Sequence, residues 1–452
     1  MNPLTAASDD SSARLGQLSG LAREVVQRCS ALGASQCEVA LNQDSGLSVN
    51  VRMGEVETVE RTQDRGVAVT VYFGQRKGSA STADLRPASL EATVRQACAI
   101  ARHTEPDPAA GLADAGRMAR DLREFDGWHP WGLDADAAIA LALQAEQAGR
   151  DADARIANSD GASVHSGKSL SVYANSHGFV GAERGTSHSL SVSLIAGTGD
   201  GMQRDYAYTS ALSPDDLDSP EQVGKQAAER TLARLDPRPI ATGDYPVLFS
   251  PEMARSLVGH LLGAVSGGAL YRRASFLLDH AGRRILPTWF SLVERPHLAR
   301  GLRSAAFDAE GVATAEADLV RDGVLARYLL GSYSARKLGL ESTGNAGGVH
   351  NLVASANARD LDAMIRDMGR GLVVTELMGQ GANTLTGDYS RGAAGFWVEN
   401  GERVHAVDEV TIAGRLQDMF LAIEAVGADV DRRSHVAVGS ILVGRLMVAS
   451  EA

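Results

Sequence analysis

Between residues 15 and 236 the chain runs twice through one order of elements, and this repetition narrows the available folds more than any other feature. Each pass reads as helix, several strands, helix. In the first, Leu18, Leu21, Val25 and Val26 recur at helical spacing between Leu15 and Leu32, and Gly33 supplies the stop. Ser48–Arg52 alternates as a strand does. Val67, Val69 and Val71 share one strand face while Ala68, Thr70 and Tyr72 share the other. A hairpin loop is expected over Gly74–Gly78. A helix follows from about Leu90 to Arg102, with Val94, Ala97, Cys98 and Ala101 in phase. The second pass predicts a helix over Asp134–Gly149 and strands near Ser169–Ala174, Ser189–Ile195 and Gln203–Ser210. Its closing helix opens at Ser219, where Ser219 and Gln222 form a capping box and Pro220 takes the first helical position. Residue identity between the passes is low, so the repeat rests on element order.

The implied division has an unstructured start (1–14), a first α/β unit (15–105), a linker (106–126), a central α/β unit (127–236) and a β-rich C-terminal domain (240–452). The linker carries Pro106, Pro108, Gly111 and Gly116. Beyond Gly243, Tyr245–Phe249 reads as a strand and Pro251–Val265 as a helix. The dipeptides Asp322-Gly323 and Asn400-Gly401 then mark tight hairpins, which favour positive φ. A late amphipathic helix is expected to carry Leu416, Met419, Phe420 and Ile423 and to end near Gly427. The fold class is α+β: two similar α/β units, then a mainly antiparallel β domain with inserted helices. The 48 glycines fit the many turns that this requires.

Charge and cysteine usage exclude several function classes. A net charge of −12, with no long Lys/Arg run, argues against nucleic acid as a partner. Three widely spaced cysteines, Cys29, Cys37 and Cys98, read as reduced thiols of a cytoplasmic protein. The uncharged side chains around Ser256–Tyr271 form too short and glycine-rich a stretch to cross a bilayer, which takes about 20 apolar residues, so no membrane association is expected.

Chemical motifs fail one by one. Gly167-Lys168-Ser169 mimics a phosphate loop, but Leu170–Asn175 alternates like a strand where a helix is needed. Gly379-Gln-Gly381 lacks the third glycine of a dinucleotide site and reads as a turn between strands. No Gly-x-Ser-x-Gly occurs. Of eleven histidines none is followed by glutamate, and no two stand three to five residues apart, as a zinc peptidase helix requires. His260 falls at the edge of the apolar stripe Met253, Leu257, Val258, Leu261, Leu262, Val265, where a hydrogen-bonded boundary histidine is expected.

Several long segments resemble the PmbA branch of the PmbA/TldD family. They are Leu377–Gly401, with its Gly-Gln-Gly-Ala-Asn-Thr run, Val407–Met419, Gly427–Gly439 with Asp-Val-Asp-Arg-Arg-Ser, and, near the front, Gly54-Glu-Val-Glu and Arg65-Gly-Val-Ala-Val. The resemblance implies a zinc-dependent peptidase of two related subunits that acts on unfolded peptides. The TldD-like sister carries His-Glu-x-x-x-His on a helix and a later cysteine. Here the corresponding helix reads Ser256-Leu-Val-Gly-His-Leu-Leu-Gly263, and no cysteine follows Cys98. By resemblance, then, the chain is a PmbA/TldE-type subunit with no catalytic or metal-binding residues of its own, and zinc is expected on a TldD-like partner. Gly379, Gly381, Asn383, Thr386, Gly387, Asp388, Tyr389 and Ser390 are the expected functional loop near that interface. Two rival readings remain at this point. One is a stand-alone, chaperone-like peptide binder. The other is a homodimeric metallopeptidase with atypical ligands such as His350, His405 and His435.

Overall fold

A computed structural model describes residues 10–450. The two passes through the repeat meet in one sheet. The first gives α1 (Ser11–Ala31), β1 (Gln36–Arg52), β2 (Glu55–Phe73), β3 (Arg76–Thr82) and α2 (Pro87–His103). The second gives α3 (Ala135–Arg150), β4 (Ile156–Asn175), β5 (Val180–Ala196), β6 (Gln203–Ala211) and α4 (Pro220–Ala233). The strand order is β3-β2-β1-β4-β5-β6, with β1 and β4 antiparallel at the centre. The halves are related by a local two-fold. Val39, Leu41, Leu47 and Val49 of β1 are matched by Ala162, Val164, Leu170 and Val172 of β4, and all are buried under the four helices. Alternation in each strand sets that face apolar and leaves the other for polar side chains.

Glycine sets how closely these helices pack. A Cβ at Gly224 of α4 would stand 2.2 Å from the Ala145 carbonyl oxygen of α3, and one at Gly78 of β3 would stand 2.3 Å from the Ala97 carbonyl oxygen of α2. The predicted capping box at Ser219 and Gln222 is formed in full.

The chain then builds β7 (Gly243–Phe249), α5 (Pro251–Ala264), α6 (Gly267–Tyr271), β8 (Leu292–Glu294), β9 (Ala317–Arg321), β10 (Val324–Leu325), α7 (Ser332–Leu338), β11 (Leu352–Ala354) and α8 (Leu361–Met368). It ends with β12 (Gly371–Met378), β13 (Asp388–Glu399), β14 (Glu402–Arg415), α9 (Leu416–Leu421), β15 (Ile423–Val426), β16 (Val436–Ala437) and β17 (Ile441–Ser450). Two sheets result, in orders β10-β9-β8-β11-β16 and β14-β13-β12-β7-β17-β15. Pairing is mostly antiparallel, with β7–β12 and β11–β16 parallel. Both dipeptide hairpins form, with Asp322 and Asn400 at φ 50° and 53°. The α+β class read from the sequence is the class observed.

Some local expectations change. Helix α1 begins at Ser11, so residues 11–14 are helical where an unstructured start was expected; residues 1–9 lie outside the described ones. The late helix stops at Leu421, and Ile423 opens a strand whose buried positions pair with β17. The phosphate-loop mimic lies within the unbroken strand β4. No helix among the described residues is long and apolar enough to cross a membrane.

Candidate functional site

The expected loop joins β12 to β13, and its geometry is largely self-made. Asn383 Oδ1 accepts from the Leu385 and Thr386 amides at 2.9 and 3.4 Å, an Asx turn that needs a short side-chain carbonyl. Thr386 Oγ1 donates to Asp388 Oδ2 at 2.6 Å. The Gly387 amide donates to the Asn383 carbonyl at 2.7 Å, and Ser390 donates its amide to the Gly381 carbonyl at 2.7 Å. Gly379 and Gly387 take φ of 73° and 83°, and a Cβ at Gly381 would fall 1.5 Å from the Ser390 carbonyl oxygen. Gly381, Asn383, Thr386, Asp388 and Ser390 remain exposed. The loop is thus a stiff, polar projection.

Its base is fixed to α5. Tyr389 is 2 % exposed, and its ring meets His260 edge-on at 5.7 Å. Burial pushes the Tyr389 hydroxyl up to about 12, against the pull of Arg391. Arg391 donates to Ser256 Oγ at 2.9 Å, one turn before His260. Burial, then the Arg391 charge, holds His260 below the ordinary histidine range. The expectation of a hydrogen-bonded boundary histidine is met in part: His260 is half-buried at the edge of the apolar stripe, but its Nε2 is buried with no hydrogen-bond partner among the described residues.

The other end of α5 is locked into ion pairs. Arg230 of α4 meets Glu252 with bonds of 3.0 and 2.8 Å. Arg433 donates to Glu252 at 2.5 Å, to Asp431 at 2.8 Å and to the Tyr208 carbonyl at 2.8 Å, while its guanidinium lies 4.2 Å over the Tyr208 ring. Arg255 completes the cluster through Asp431 at 3.1 Å. Burial alone would raise Glu252 and Asp431, but the paired guanidiniums hold both below the usual carboxylate range. The Asp429–Arg433 run stands out in the sequence, but apart from the Asp431–Arg433 pair its partners in the cluster, Tyr208, Glu252 and Arg255, lie far away in the chain.

The three histidines considered as atypical ligands do not converge. His350 and His435 lie beside the β11–β16 pair, whereas His405 is on β14 in the other sheet. His350 Nδ1 is held at 2.9 Å by Glu294 Oε1, and His405 Nδ1 by its neighbour's carbonyl. Glu294 is 1 % exposed. Burial would raise it, but His350 and Arg327 hold it below the ordinary carboxylate range. Among the described residues no group of three or more His, Cys, Asp or Glu side chains could hold a metal ion. The donor set does not fit a zinc ion.

Between the first sheet and the C-terminal domain, cavities follow one another. One of about 670 Å³ meets one of about 580 Å³ at Glu310 and Tyr333. The second shares His435 with a third of about 700 Å³. That in turn shares Asp218, Arg432 and Arg433 with a fourth of about 650 Å³ beside the ion cluster.

Comparison with known proteins agrees with this architecture. Family models described as PmbA/TldA metallopeptidase domain 1, central domain and C-terminal domain match residues 37–101, 128–235 and 242–450. Metalloprotease PmbA of Escherichia coli O157:H7 is 50% identical over 414 residues, covering 92% of each chain. A putative modulator of DNA gyrase from Bacteroides thetaiotaomicron superimposes with a TM-score of 0.91 at 27% identity, covering 96% of this chain and 99% of that one. TldE from Thermococcus kodakarensis shares the fold, with a TM-score of 0.84 at 20% identity over 95% of this chain and 100% of that one. The chain belongs to the PmbA/TldD metallopeptidase family.

Proposed function

We propose that this chain is the PmbA/TldE-type subunit of a zinc metallopeptidase complex that processes unfolded peptides in the cytoplasm, and that a TldD-like sister holds the metal. The carrying observation is the state of α5. It offers one histidine, half-buried and edge-on to Tyr389, and its charged residues Glu252 and Arg255 are bound into ion pairs. No catalytic step is therefore assigned to this chain. Its role is to shape the chamber around the sister's site. The linked cavities along the seam suit an extended polypeptide, and the stiff 379–390 loop beside α5 is the element offered to the sister.

The test is elemental analysis and peptidase assay of the purified chain, alone and with a co-expressed TldD-like sister. Alone it carries little zinc and cleaves nothing; with the sister, chelator-sensitive cleavage appears. Asn383→Ala with Asp388→Ala lowers that cleavage about tenfold or more, the scale of losing well-placed polar contacts, and leaves the melting temperature near wild type. One zinc per isolated chain with chelator-sensitive cleavage would overturn the proposal.

A further inference from the structure

Part of β2 forms a bare edge of the first sheet among the described residues. Strand β3 pairs with β2 only from Val67 onward, so among the described residues Glu55–Gly66 of β2 have a partner on the β1 side alone. Every residue from Glu55 to Arg65 is exposed. Val56 and Val59 are 45 % and 44 % exposed, and Met53 in the adjoining turn is 42 % exposed. The segment contains no proline and no lysine, the usual devices that blunt an edge. Its charged side chains make no ion pair within the described residues. Three acids, Glu55, Glu57 and Glu60, come first and the two bases, Arg61 and Arg65, later, with Asp64 between the bases.

We infer that this edge is an interface with a second copy of the chain, the two β2 strands pairing antiparallel about a two-fold axis at Val59. An antiparallel strand reverses the order of charges, so the acid-then-base stretch Glu55–Arg61 complements itself, while an axis at Val59 sets Asp64 opposite the uncharged Gly54. A perpendicular two-fold sets one residue opposite its own copy, and this limits the registers. Axes at Glu57, Glu60 or Arg61 oppose like charges. An axis at Thr58 sets Val59 against Glu57 and Val56 against Glu60. An axis at Val59 sets valine against valine, Glu57 against Arg61 on both sides, and no like charges opposite. The two six-stranded sheets then continue as one.

Sedimentation of the full-length chain, purified alone, tests this. Wild type sediments as a dimer. Val59→Cys is trapped as a disulfide-linked dimer on mild oxidation with diamide, whereas Val56→Cys, set opposite Thr62, is not. The native thiols are at most 1 % exposed and do not compete. Glu57→Arg and Arg61→Glu each weaken self-association roughly tenfold, since each turns two attractive cross-strand pairs repulsive. An equimolar mixture of the two variants recovers the dimer, because new arginine then faces new glutamate. A monomeric wild type, a dimer indifferent to both charge changes, or equal cross-linking at both positions would overturn the inference. Zinc content and peptidase activity do not enter, so this can fail while the subunit assignment stands, and the reverse.

Discussion

The two halves of the first sheet share one plan and treat their outer edges in opposite ways. On β5 the stretch Val180–Ser187, which β6 does not reach, is covered by the segment that leads into α3. The Thr186 amide donates to the Gly127 carbonyl at 3.0 Å, Arg184 grips Glu124 with two bonds of 3.0 and 3.1 Å, and its guanidinium lies 5.4 Å over Trp128. The hairpin turn between β4 and β5 is capped by the C-terminal domain, with Phe179 edge-on to Phe307 at 5.3 Å. Among the described residues the matching stretch of β2 has no such cover, and the Met53 side chain at its turn is exposed. A linker and a domain contact finish one half from within the chain. The other half is left for something outside it.

The largest expected effect lies in what holds the bare half in shape. Glu146 of α3, 1 % exposed, accepts both turn amides, from Met53 and Gly54, at 2.8 Å each. Removing a buried acceptor leaves its donors unpaired. Glu146→Ala lowers unfolding free energy by about 3 kcal/mol, measured by urea denaturation, and Glu146→Gln by roughly half of that, since one oxygen remains. A change near zero in both variants would mean that the β1–β2 hairpin stands without its anchor.

Next comes a matched pair of glutamates. Glu60 of β2 is in solvent, while Glu183, at the corresponding place on β5, is half-buried against the C-terminal domain. Burial pushes Glu183 up to about 7 from an ordinary 4.5, with His350 pulling the other way. Glu183 therefore binds its proton more tightly folded than unfolded. Its stability contribution is complete below the ordinary value and is lost as pH rises from 4.5 to about 7. The gap corresponds to at most about 3 kcal/mol. Glu183→Gln removes this decline, so the variant is the more stable protein at pH 8 by about 2 kcal/mol. Glu60→Gln stays within about 0.5 kcal/mol of wild type. Equal pH profiles for wild type and Glu183→Gln would show that the seam admits water to that carboxylate.

The same contrast explains what could be read from sequence. Val67, Val69 and Val71 declared their strand because one face is buried and the other is not. Glu55–Arg65 belong to the same strand and gave no signal, since with both faces wet there is no alternation to detect. The repeat was legible from element order, but its joining into one sheet was not, because the pairing of β1 with β4 spans more than a hundred residues. In the candidate site, the glycines and Asn383 of the 379–390 loop were legible because their turn is made locally. His260 against Tyr389, and Arg433 against Glu252, were not. Those contacts depend on which elements meet after folding, and no spacing in the sequence encodes them. Ile423 misled for a related reason: it keeps helical phase with Met419 and Phe420 while its backbone is taken by β17.

The smallest effect gives the sharpest comparison of the two edges. Thr186, 4 % exposed, donates its hydroxyl to the Leu212 carbonyl at 2.7 Å and accepts the His129 amide at 3.0 Å. Thr186→Val keeps the shape and removes both bonds, which costs about 1–2 kcal/mol. Gln63 holds the matching place on β2 and is exposed. Gln63→Val has no side-chain bond to lose among the described residues, and valine suits a strand, so its stability shifts by less than about 0.5 kcal/mol in a dilute thermal melt. If the β2 edge is covered in solution by a second copy, the Gln63 variant will still melt like wild type when dilute, and the two will part only as protein concentration rises. A Gln63→Val cost equal to that of Thr186→Val in dilute solution would mean that the first half of the sheet is finished from within after all, and the difference between the edges would be gone.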